Sequence, residues 1–125
     1  MEYTFILPCY MQLDNKKISL TLNWYRNAHH YILNNVKQSW RPVSFPSQFN
    51  ASQITIDYTL ILCDNRRTDA MNWISVADKF FSDWLTGNGY IIDDCASVYT
   101  GGSFKVLRDT SLSAYQIVAK VTKTA

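Results

Sequence analysis

Acidic side chains are concentrated in one part of this sequence. Six of the ten Asp and Glu residues lie between Asp64 and Asp94, and the stretch DKFFSDWLTGNGYIIDD ends on the adjacent pair Asp93 and Asp94. Carboxylates that meet in one place repel each other unless a cation lies between them, and all-oxygen ligands suit Mg²⁺ or Mn²⁺ rather than zinc. The chemistry that such a site performs is phosphodiester hydrolysis, in which the metal binds the scissile phosphate and activates water.

A long amphipathic helix is predicted to carry part of this cluster. It runs from about Asp69 to Thr86 and ends at the glycines of LTGNG. At about 100° per residue, Asn72, Lys79 and Asp83 share one polar stripe. A broad apolar face, suited to packing on a sheet or on a partner subunit, contains Trp73, Ala77, Phe80, Phe81 and Trp84.

The glycine turn after this helix determines whether the acidic groups meet. A chain that leaves through GNG and returns as a strand can bring Asp93 and Asp94 back alongside the helix. Lys79 would then neutralise charge that develops on the phosphate or position the water. The alternative is that Lys79 and Asp83 form an i,i+4 pair on a solvated face, worth a few tenths of a kcal/mol, while Asp69 only caps the helix.

Basic residues lie mostly outside the acidic stretch. Arg66 and Arg67 directly precede the long helix, where they can hold flanking phosphates of DNA. Lys16 and Lys17 form either a DNA-facing pair or a solvated turn, and Arg26 lies close to two histidines that either contact phosphate or are ordinary surface residues. The net charge of +2 neither requires nor excludes a nucleic-acid partner.

The elements that position these groups indicate one α+β domain over residues 1–125, with two main helices packed on a mixed β-sheet. Strict alternation over residues 53–63 predicts a central strand. A first helix is predicted to begin at the cap Asn23, continue through NWYRNAHHYILNNVKQSW and stop by Pro42. Further strands are predicted for residues 3–11, 17–22, 97–107 and 114–121.

Composition favours a folded, water-soluble chain. Apolar residues make up 47% and charged residues 18%, which is enough apolar surface to order one domain. No apolar run approaches the roughly 20 residues that span a bilayer, and the N-terminal residues lack the basic region and cleavage site of a signal peptide. Cys9, Cys63 and Cys95 are odd in number and widely spaced, so we predict three free thiols in a reducing, cytoplasmic compartment with no membrane partner.

The acidic stretch has a recognisable pattern. The run DAMNWISVADKFFSDWLTGNGYIIDD resembles the signature of RusA-like Holliday junction resolvases, especially those carried by phages. In that signature an Asp and an Asn open a helix, a Lys precedes an Asp by four residues, and a glycine turn leads to an Asp-Asp pair. The flanking segments LTLNWYRNAHHYILNNVKQ and SVYTGGSFKV resemble the family's early segment and closing strands, so the likeness covers most of the chain.

The resemblance implies a role for individual acids. By position it implies metal ligation by Asp69 and Asp94, with Asp93 and Asp83 in or beside the ligand shell of Mg²⁺, for which Mn²⁺ would substitute. Lys79 occupies the place of the family's catalytic lysine, so the implied catalytic residues are Asp69, Lys79 and Asp94.

The resemblance also implies a substrate and a partner. Family members are homodimers that bind four-way or branched DNA and make paired cuts by Mg²⁺-dependent hydrolysis, in recombination, repair or phage genome processing. For a phage-encoded chain the location would be the cytoplasm of the bacterial host. The expected DNA-binding residues are Lys16, Lys17, Arg26, Arg66, Arg67 and Asn72.

One departure from the family pattern limits the expectation of cleavage. Many members have a second Asp two residues after the first, whereas this chain has Met71, and a thioether does not replace a carboxylate for Mg²⁺. The spacing from Asn72 to Asp83 is also about one helical turn longer than in the bacterial archetype, an extension that the resemblance to phage-type members includes. Asn72, Asp78 or Asp83 would have to fill the gap. The alternatives are a branched-DNA-binding protein of the same fold with weak or lost cleavage, and a structural or interaction protein without a nucleic-acid role.

Overall fold

The computed structural model describes residues 1–124 and contains six strands and three helices within them. Their order is β1 (Glu2–Pro8), β2 (Tyr10–Leu13), β3 (Lys16–Ser19), α1 (Leu22–Asn27), α2 (His30–Ser39), β4 (Ile54–Leu62), α3 (Ala70–Gly87), β5 (Tyr99–Arg108) and β6 (Gln116–Lys123). Four strands form one sheet in the order β1-β6-β4-β5, and β2 and β3 form a separate hairpin. The α+β class and the mixed sheet are therefore confirmed.

Strand β4 lies inside the sheet, between β6 and β5, and its burial pattern alternates along its whole length. Ile54, Ile56, Tyr58, Leu60 and Leu62 are buried, and the residues between them are half-buried. Its neighbour β5 runs parallel to it, whereas β6 pairs antiparallel with both β4 and β1. Two adjacent parallel strands need a crossover connection, and α3 provides it by running back along the sheet.

Helix α3 packs its aromatic face into the core of its own chain. Trp73, Ala77, Phe80 and Phe81 are all buried, and Phe81 makes an edge-on contact with Phe5 of β1 at 4.9 Å between ring centroids. Of the two sequence interpretations of this face, the structure supports ordinary core packing. α3 is the longest helix, and no helix among residues 1–124 is long and apolar enough to cross a membrane.

The predicted first helix is divided into two. Ala28 and His29 have extended backbone angles, so α1 ends at Asn27 and α2 begins at His30. The His29 side chain caps α2 by accepting a hydrogen bond from the backbone N–H of Tyr31 at 3.2 Å. The cap of α1 is Thr21 rather than Asn23, because the Thr21 hydroxyl accepts the N–H of Trp24. The helical periodicity continued across the break and concealed it.

The predicted second strand belongs to the small hairpin. Asp14 and Asn15 both have positive φ angles, 50° and 65°, as the two central residues of a type I′ hairpin turn require. Register then pairs Leu13 with Lys16 and Gln12 with Lys17. Successive residues of a strand point to opposite faces, so Lys16 and Lys17 point to opposite sides of the hairpin.

The three cysteines are free thiols, as predicted. Cys9 is buried, and burial raises its pKa to about 12. Cys95 is exposed and its sulfur lies 3.1 Å from the Ser97 hydroxyl oxygen.

Gly102 fixes the contact between the parallel strands, and its replacement by alanine should destabilise the fold. A Cβ at this position would lie 1.7 Å from the backbone oxygen of Ile56 in β4. We expect Gly102→Ala to lower the free energy of unfolding by about 2–3 kcal/mol. Gly87→Ala is the control, because nothing lies within 4 Å of its Cβ position, and it should change stability by less than about 0.5 kcal/mol. Urea unfolding followed by circular dichroism measures both, and equal effects would contradict the assignment.

Candidate nucleic-acid interface

A cleft of about 540 Å³ opens where β4 ends and the chain turns towards α3. The connection between β4 and α3 forms one wall, and the β2–β3 hairpin and the segment 113–115 form the others. Three cations line it, namely Lys17, Arg66 and Arg67. We call this site the basic cleft. Three of the six residues predicted to bind DNA thus lie together, although they come from two separate parts of the sequence.

One carboxylate, Asp64, organises the cleft without cancelling its charge. Its side chain accepts a hydrogen bond from the Tyr115 hydroxyl at 2.7 Å, and the Arg66 Nε atom lies 3.8 Å from its other oxygen. The bond from Tyr115, followed by the backbone N–H and the charge of Arg66, lowers the pKa of Asp64 below its ordinary value. Asp64 is therefore ionised at neutral pH, and the cations of the lining exceed the carboxylates by two.

Arg108, the last residue of β5, holds the loop that carries two of the cations. Its guanidinium donates to the backbone oxygens of Asp64 and Arg66, the latter at 3.2 Å. The backbone N–H of Asp109 donates to the Leu62 oxygen at 2.8 Å, which ties the same two chain segments together. Arg66 and Arg67 therefore project from a loop that the sheet edge keeps in place, so less conformational entropy is lost when they contact a ligand.

Three aromatic rings form the floor of the cleft. Tyr10, Trp73 and Tyr115 contact one another edge to face or tilted, at centroid distances of 5.5, 6.3 and 5.3 Å. The Lys17 Nζ atom lies 4.3 Å from the centroid of the Tyr10 ring. Trp73 and Tyr115 are each only 7% exposed, so their faces are not open to a stacking base. The cleft therefore favours contacts with phosphates, which carry no sequence information.

The other three residues predicted to bind DNA lie outside the cleft lining. Lys16 points to the opposite side of the hairpin from Lys17, and Arg26 is exposed in the last turn of α1. Asn72 has a structural role, because its side-chain oxygen accepts the backbone N–H groups of Leu22 and Asn23 at 3.1 and 3.4 Å. It thereby holds the start of α1 against α3. The prediction for Asn72 missed this role because the partner lies 50 residues away.

The acidic residues lie at opposite ends of α3. Asp69 caps its N-terminus by accepting the Met71 N–H at 3.0 Å, and it follows Thr68, which lines the basic cleft. Asp94 comes after the C-terminus, and the 18 residues of α3 extend about 27 Å between them. The expected convergence of Asp69 with Asp93 and Asp94 within one chain is therefore wrong.

The physical reason is that the chain after α3 is fixed at the far end of the sheet. Gly89 adopts a left-handed φ of 76°, and the backbone oxygen of Tyr90 then accepts the N–H of Ala51 at 3.1 Å. Tyr90 and Ile91 are buried, and Ile91 forms a bridge with Ala51, just before β4 begins. The sequence interpretation had assumed that the glycine turn returns the chain along the helix, but the apolar pair after it anchors the chain instead.

Lys79 and Asp83 are also separated from both groups. The Lys79 Nζ atom lies 5.5 Å from the centroid of the Tyr25 ring in α1, and Asp83 lines a different pocket beside Lys37 and Arg41. Lys79 is ten residues, or about 15 Å along the helix, from Asp69. The catalytic set of Asp69, Lys79 and Asp94 is therefore not assembled by one chain.

The acids of a single chain do not fit a divalent-metal site. Within residues 1–124 there is no group of three or more His, Cys, Asp or Glu side chains arranged to hold a metal ion. Asp93 accepts the backbone N–H of Asp94 at 2.8 Å, and both acids are exposed. The four predicted ligands, Asp69, Asp83, Asp93 and Asp94, occupy three separate places, so one chain does not bring all four to a single ion.

No protein-family model and no curated protein matches this chain. The resemblance to RusA-like resolvases thus depends on the residues of the 69–94 motif and its flanks.

A second polar site was missed by the sequence interpretation. One oxygen of Asp78 accepts hydrogen bonds from the hydroxyls of Tyr58 and Tyr99, both at 2.6 Å. The group lines a cavity of about 460 Å³ between α3 and β5. The signal was present, since Tyr58 alternates with buried apolar residues and a buried hydroxyl needs a partner. The sequence interpretation treated Asp78 only as a substitute metal ligand, because this residue lies off the polar stripe of α3.

Alkaline pH should destabilise the protein through these tyrosines. Burial, followed by the charge of Asp78 for Tyr58 and by the hydrogen bond to Asp78 for Tyr99, raises both pKa values above the ordinary value of 10.0. Because the folded pKa is the higher one, stability is complete below pH 10 and falls as the pH rises above it, by up to about 1.4 kcal/mol per pH unit for each tyrosine. Urea unfolding at pH 8 to 11 measures the fall. The fall in unfolding free energy with pH should be less steep in Tyr99→Phe than in the wild type, and it should be unchanged in the control Tyr31→Phe. Equal slopes in the wild type and both variants would refute the assignment.

Proposed function

We propose that this protein is a branched-DNA endonuclease of the RusA type, which binds four-way junctions through the basic cleft and cuts them as a homodimer. The observation that supports binding is the assembly of three cations in one cleft, with Lys17 on the hairpin and Arg66 and Arg67 on a braced loop. Asp69 follows Thr68 of the cleft lining, so a carboxylate of the family motif adjoins the phosphate-binding cations. The mixed α+β fold is consistent with a RusA-like domain.

Binding of this kind is governed by charge and shape rather than by base sequence. Arginine and lysine side chains neutralise backbone phosphates and release counterions, so affinity falls steeply as salt concentration rises. Two rings of the aromatic floor, Trp73 and Tyr115, are buried, and Lys17 lies over the partly buried ring of Tyr10, so the floor supports the cations rather than a stacked base. Recognition of a branched substrate then depends on where several duplex arms present their phosphates at the same time.

Cleavage requires more than one copy of the chain. Because the acids of residues 1–124 are not grouped to hold a metal ion within one chain, the proposed cleavage depends on an assembly of more than one copy. A homodimer, which paired incision of a four-way junction needs in any case, places two copies of each acid in one assembly. Recombination, repair and phage genome processing all produce branched DNA, and the proposal covers each of these roles.

The second candidate is a branched-DNA-binding protein that does not cut. Met71 favours it, because this residue stands where many RusA-like proteins have their second Asp, and it is 43% exposed beside the helix start. The distance between Asp69 and Asp94 favours it as well. In this case the basic cleft would keep its affinity for junctions, and the acidic residues would have no role in chemistry.

A synthetic four-way junction separates these functions. The protein is incubated with labelled junction and linear duplex at equal length, with Mg²⁺ and without it. Nicks in the junction that need Mg²⁺ support the endonuclease. A gel shift without nicks supports the binding protein, and neither a shift nor a nick overturns both.

Asp94→Asn should separate cutting from binding if the protein is an endonuclease. We expect it to abolish junction nicking, because it removes a metal ligand of the proposed site, and to leave junction affinity unchanged or higher, because it removes a negative charge that repels phosphate. Glu2→Gln, an exposed acid at the start of β1, is the matched control and should keep full nicking. Unimpaired nicking by Asp94→Asn would refute the role of this residue.

A further inference from the structure

The cavity of about 460 Å³ between α3 and β5 has one charged group in its lining. That group is the half-buried carboxylate of Asp78, and the other lining residues are neutral. Apolar side chains from three elements contribute to the wall, namely Ile56 of β4, Met71 and Ile74 of α3, and Phe104 of β5. The cavity therefore presents apolar surface around a single negative charge.

We infer that this cavity binds a small primary amine, whose ammonium group contacts Asp78 while its apolar body lies against Ile74 and Phe104. A primary amine is protonated at neutral pH, so its charge is opposite to that of the carboxylate. The inference does not depend on the proposed action on DNA, because the cavity shares no lining residue with the basic cleft.

The charge of Asp78 has no partner in the part of the chain that the structure describes. The one ion pair among residues 1–124 joins Arg66 with Asp64. Lys79, the next residue of α3, lies elsewhere, with its Nζ atom 5.5 Å from the centroid of the Tyr25 ring in α1. Hydroxyl donors replace part of the water that a half-buried carboxylate loses, but they supply no positive charge. The site therefore favours a ligand that brings a cation.

The carboxylate is held in place before any ligand binds. Tyr58 of β4 and Tyr99 of β5 both donate to its Oδ1 atom at 2.6 Å, so little side-chain entropy is lost on binding. Among residues 1–124 no donor reaches the second oxygen, Oδ2, and the one buried side-chain polar atom without a partner is Nε1 of Trp40. Oδ2 of Asp78 is therefore accessible and free to accept a hydrogen bond.

The occupied oxygen favours an ammonium group over a guanidinium group. A carboxylate has about four lone-pair positions, shared equally between its oxygens, and Tyr58 and Tyr99 fill those of Oδ1. A guanidinium fork directs one bond to each oxygen, so one of its two acceptors is already occupied. An ammonium group is a compact charge that needs only Oδ2. The site thus fits a primary amine better than an arginine-like ligand.

The wall of the cavity favours a ligand with an apolar body. Met71 and Phe104 are 43 and 50% exposed, whereas Ile74 is buried. A ligand that covers the two exposed side chains removes apolar surface from water, which is favourable. The volume also lies within the range of small-molecule sites. An arylalkylamine such as phenethylamine should therefore bind more tightly than the ammonium ion alone.

Titration of the protein with phenethylamine, followed by amide NMR spectra, tests the site. Phenethyl alcohol and phenethylguanidine are the comparison ligands, since the three share one apolar body and differ in the polar head. We expect the amine to bind about 10-fold more tightly than the uncharged alcohol, and more tightly than the guanidine. Equal affinities of the amine and the alcohol, or no shifts with the amine at millimolar concentration, would overturn the inference.

Two variants locate the binding in this cavity. Asp78→Asn removes the charge and should weaken amine binding by about 10-fold or more. Glu2→Gln is the matched control and should bind normally, because Glu2 is exposed on β1, at the opposite edge of the sheet from β5. Circular dichroism of both variants checks that each is folded. Unchanged amine affinity in folded Asp78→Asn contradicts the assignment.

Tyr99→Phe tests the geometry while keeping the carboxylate. This change frees one lone pair on Oδ1 of Asp78, so a guanidinium fork gains its second acceptor. The preference for phenethylamine over phenethylguanidine should fall by about 3-fold or more. If the preference stays as in the wild type, the tyrosines do not select the ligand and the inference is wrong.

Discussion

Neutralising the basic cleft should lower affinity for a four-way junction by about 10²- to 10³-fold at 0.1 M salt. The variant carries Lys17→Gln, Arg66→Gln and Arg67→Gln, the three cations that line the cleft. Each phosphate contact contributes about 0.9 to the slope of log affinity against log salt concentration, so the loss of three contacts should lower that slope by about 2.7. Gel shifts or fluorescence anisotropy over a salt series measure both quantities.

The control for this result is a pair of cations far from the cleft. Lys120 and Lys123 are exposed on β6, and Lys123 pairs with Ile54, at the end of β4 opposite the cleft. Lys120→Gln with Lys123→Gln lowers the net charge by two but should change affinity by less than about 3-fold, because separated, exposed charges are screened beyond about 10 Å at this salt concentration. If both variants lost affinity equally, net charge rather than the cleft would be responsible for binding.

Phe81→Ala should cause the largest loss of stability of any change considered, about 3–5 kcal/mol. Phe81 is fully buried at the centre of α3, and its ring contacts Phe5 of β1 and Trp40, which follows α2. Its removal leaves a cavity where the helices meet the sheet. Domains of this size are stable by only about 5–15 kcal/mol, so the Phe81→Ala variant should unfold at a urea concentration well below the wild-type midpoint.

Phe45→Ala is the matched control for this measurement. Phe45 also contacts an aromatic ring of α3, that of Trp84 at 5.1 Å, but it is 49% exposed. Its replacement should cost less than about 1 kcal/mol, because most of the removed surface already contacts water. Urea unfolding of both variants by circular dichroism and fluorescence gives the comparison. A loss below 1 kcal/mol for Phe81→Ala would show that the core is not organised around this ring.

Local patterns predicted the main elements of the fold well. The alternation of Ile54 to Leu62 identified the central strand, and the apolar face of α3 identified the residues that become the core. Both predictions succeed because each depends only on a local periodicity, which is the spacing at which the side chains of one strand or helix face the core. The division of the first helix at Ala28 and His29 was not predicted, since the apolar spacing is maintained across the break and the cap is a histidine rather than a Ser, Thr, Asn or Asp.

The candidate site was predicted in part. Arg66, Arg67 and Lys17 do lie together, although nothing in the spacing of residues 17 and 66 indicates that the hairpin would lie beside the β4–α3 loop. The acidic site was predicted in the wrong place for a single chain. A glycine turn can send the chain in several directions, and the direction here depends on a hydrogen bond between Ala51 and Tyr90, residues almost 40 positions apart. The tyrosine partners of Asp78 were missed for the same reason, since they lie on two strands, 20 and 21 residues away in sequence.

The position of β6 between β1 and β4 determines when this domain can fold during synthesis. β6 is the last of the described strands to leave the ribosome, yet it alone joins the first strand to the rest of the sheet. A nascent chain that has emerged only as far as β5 can form α3 and the parallel pair, but β1 and one edge of β4 still lack the strand that pairs with both. The pairing of β1 with β6 therefore forms late, and it joins residues more than 100 positions apart. Such distant contacts favour slow folding, during which chaperones would protect the unpaired strands.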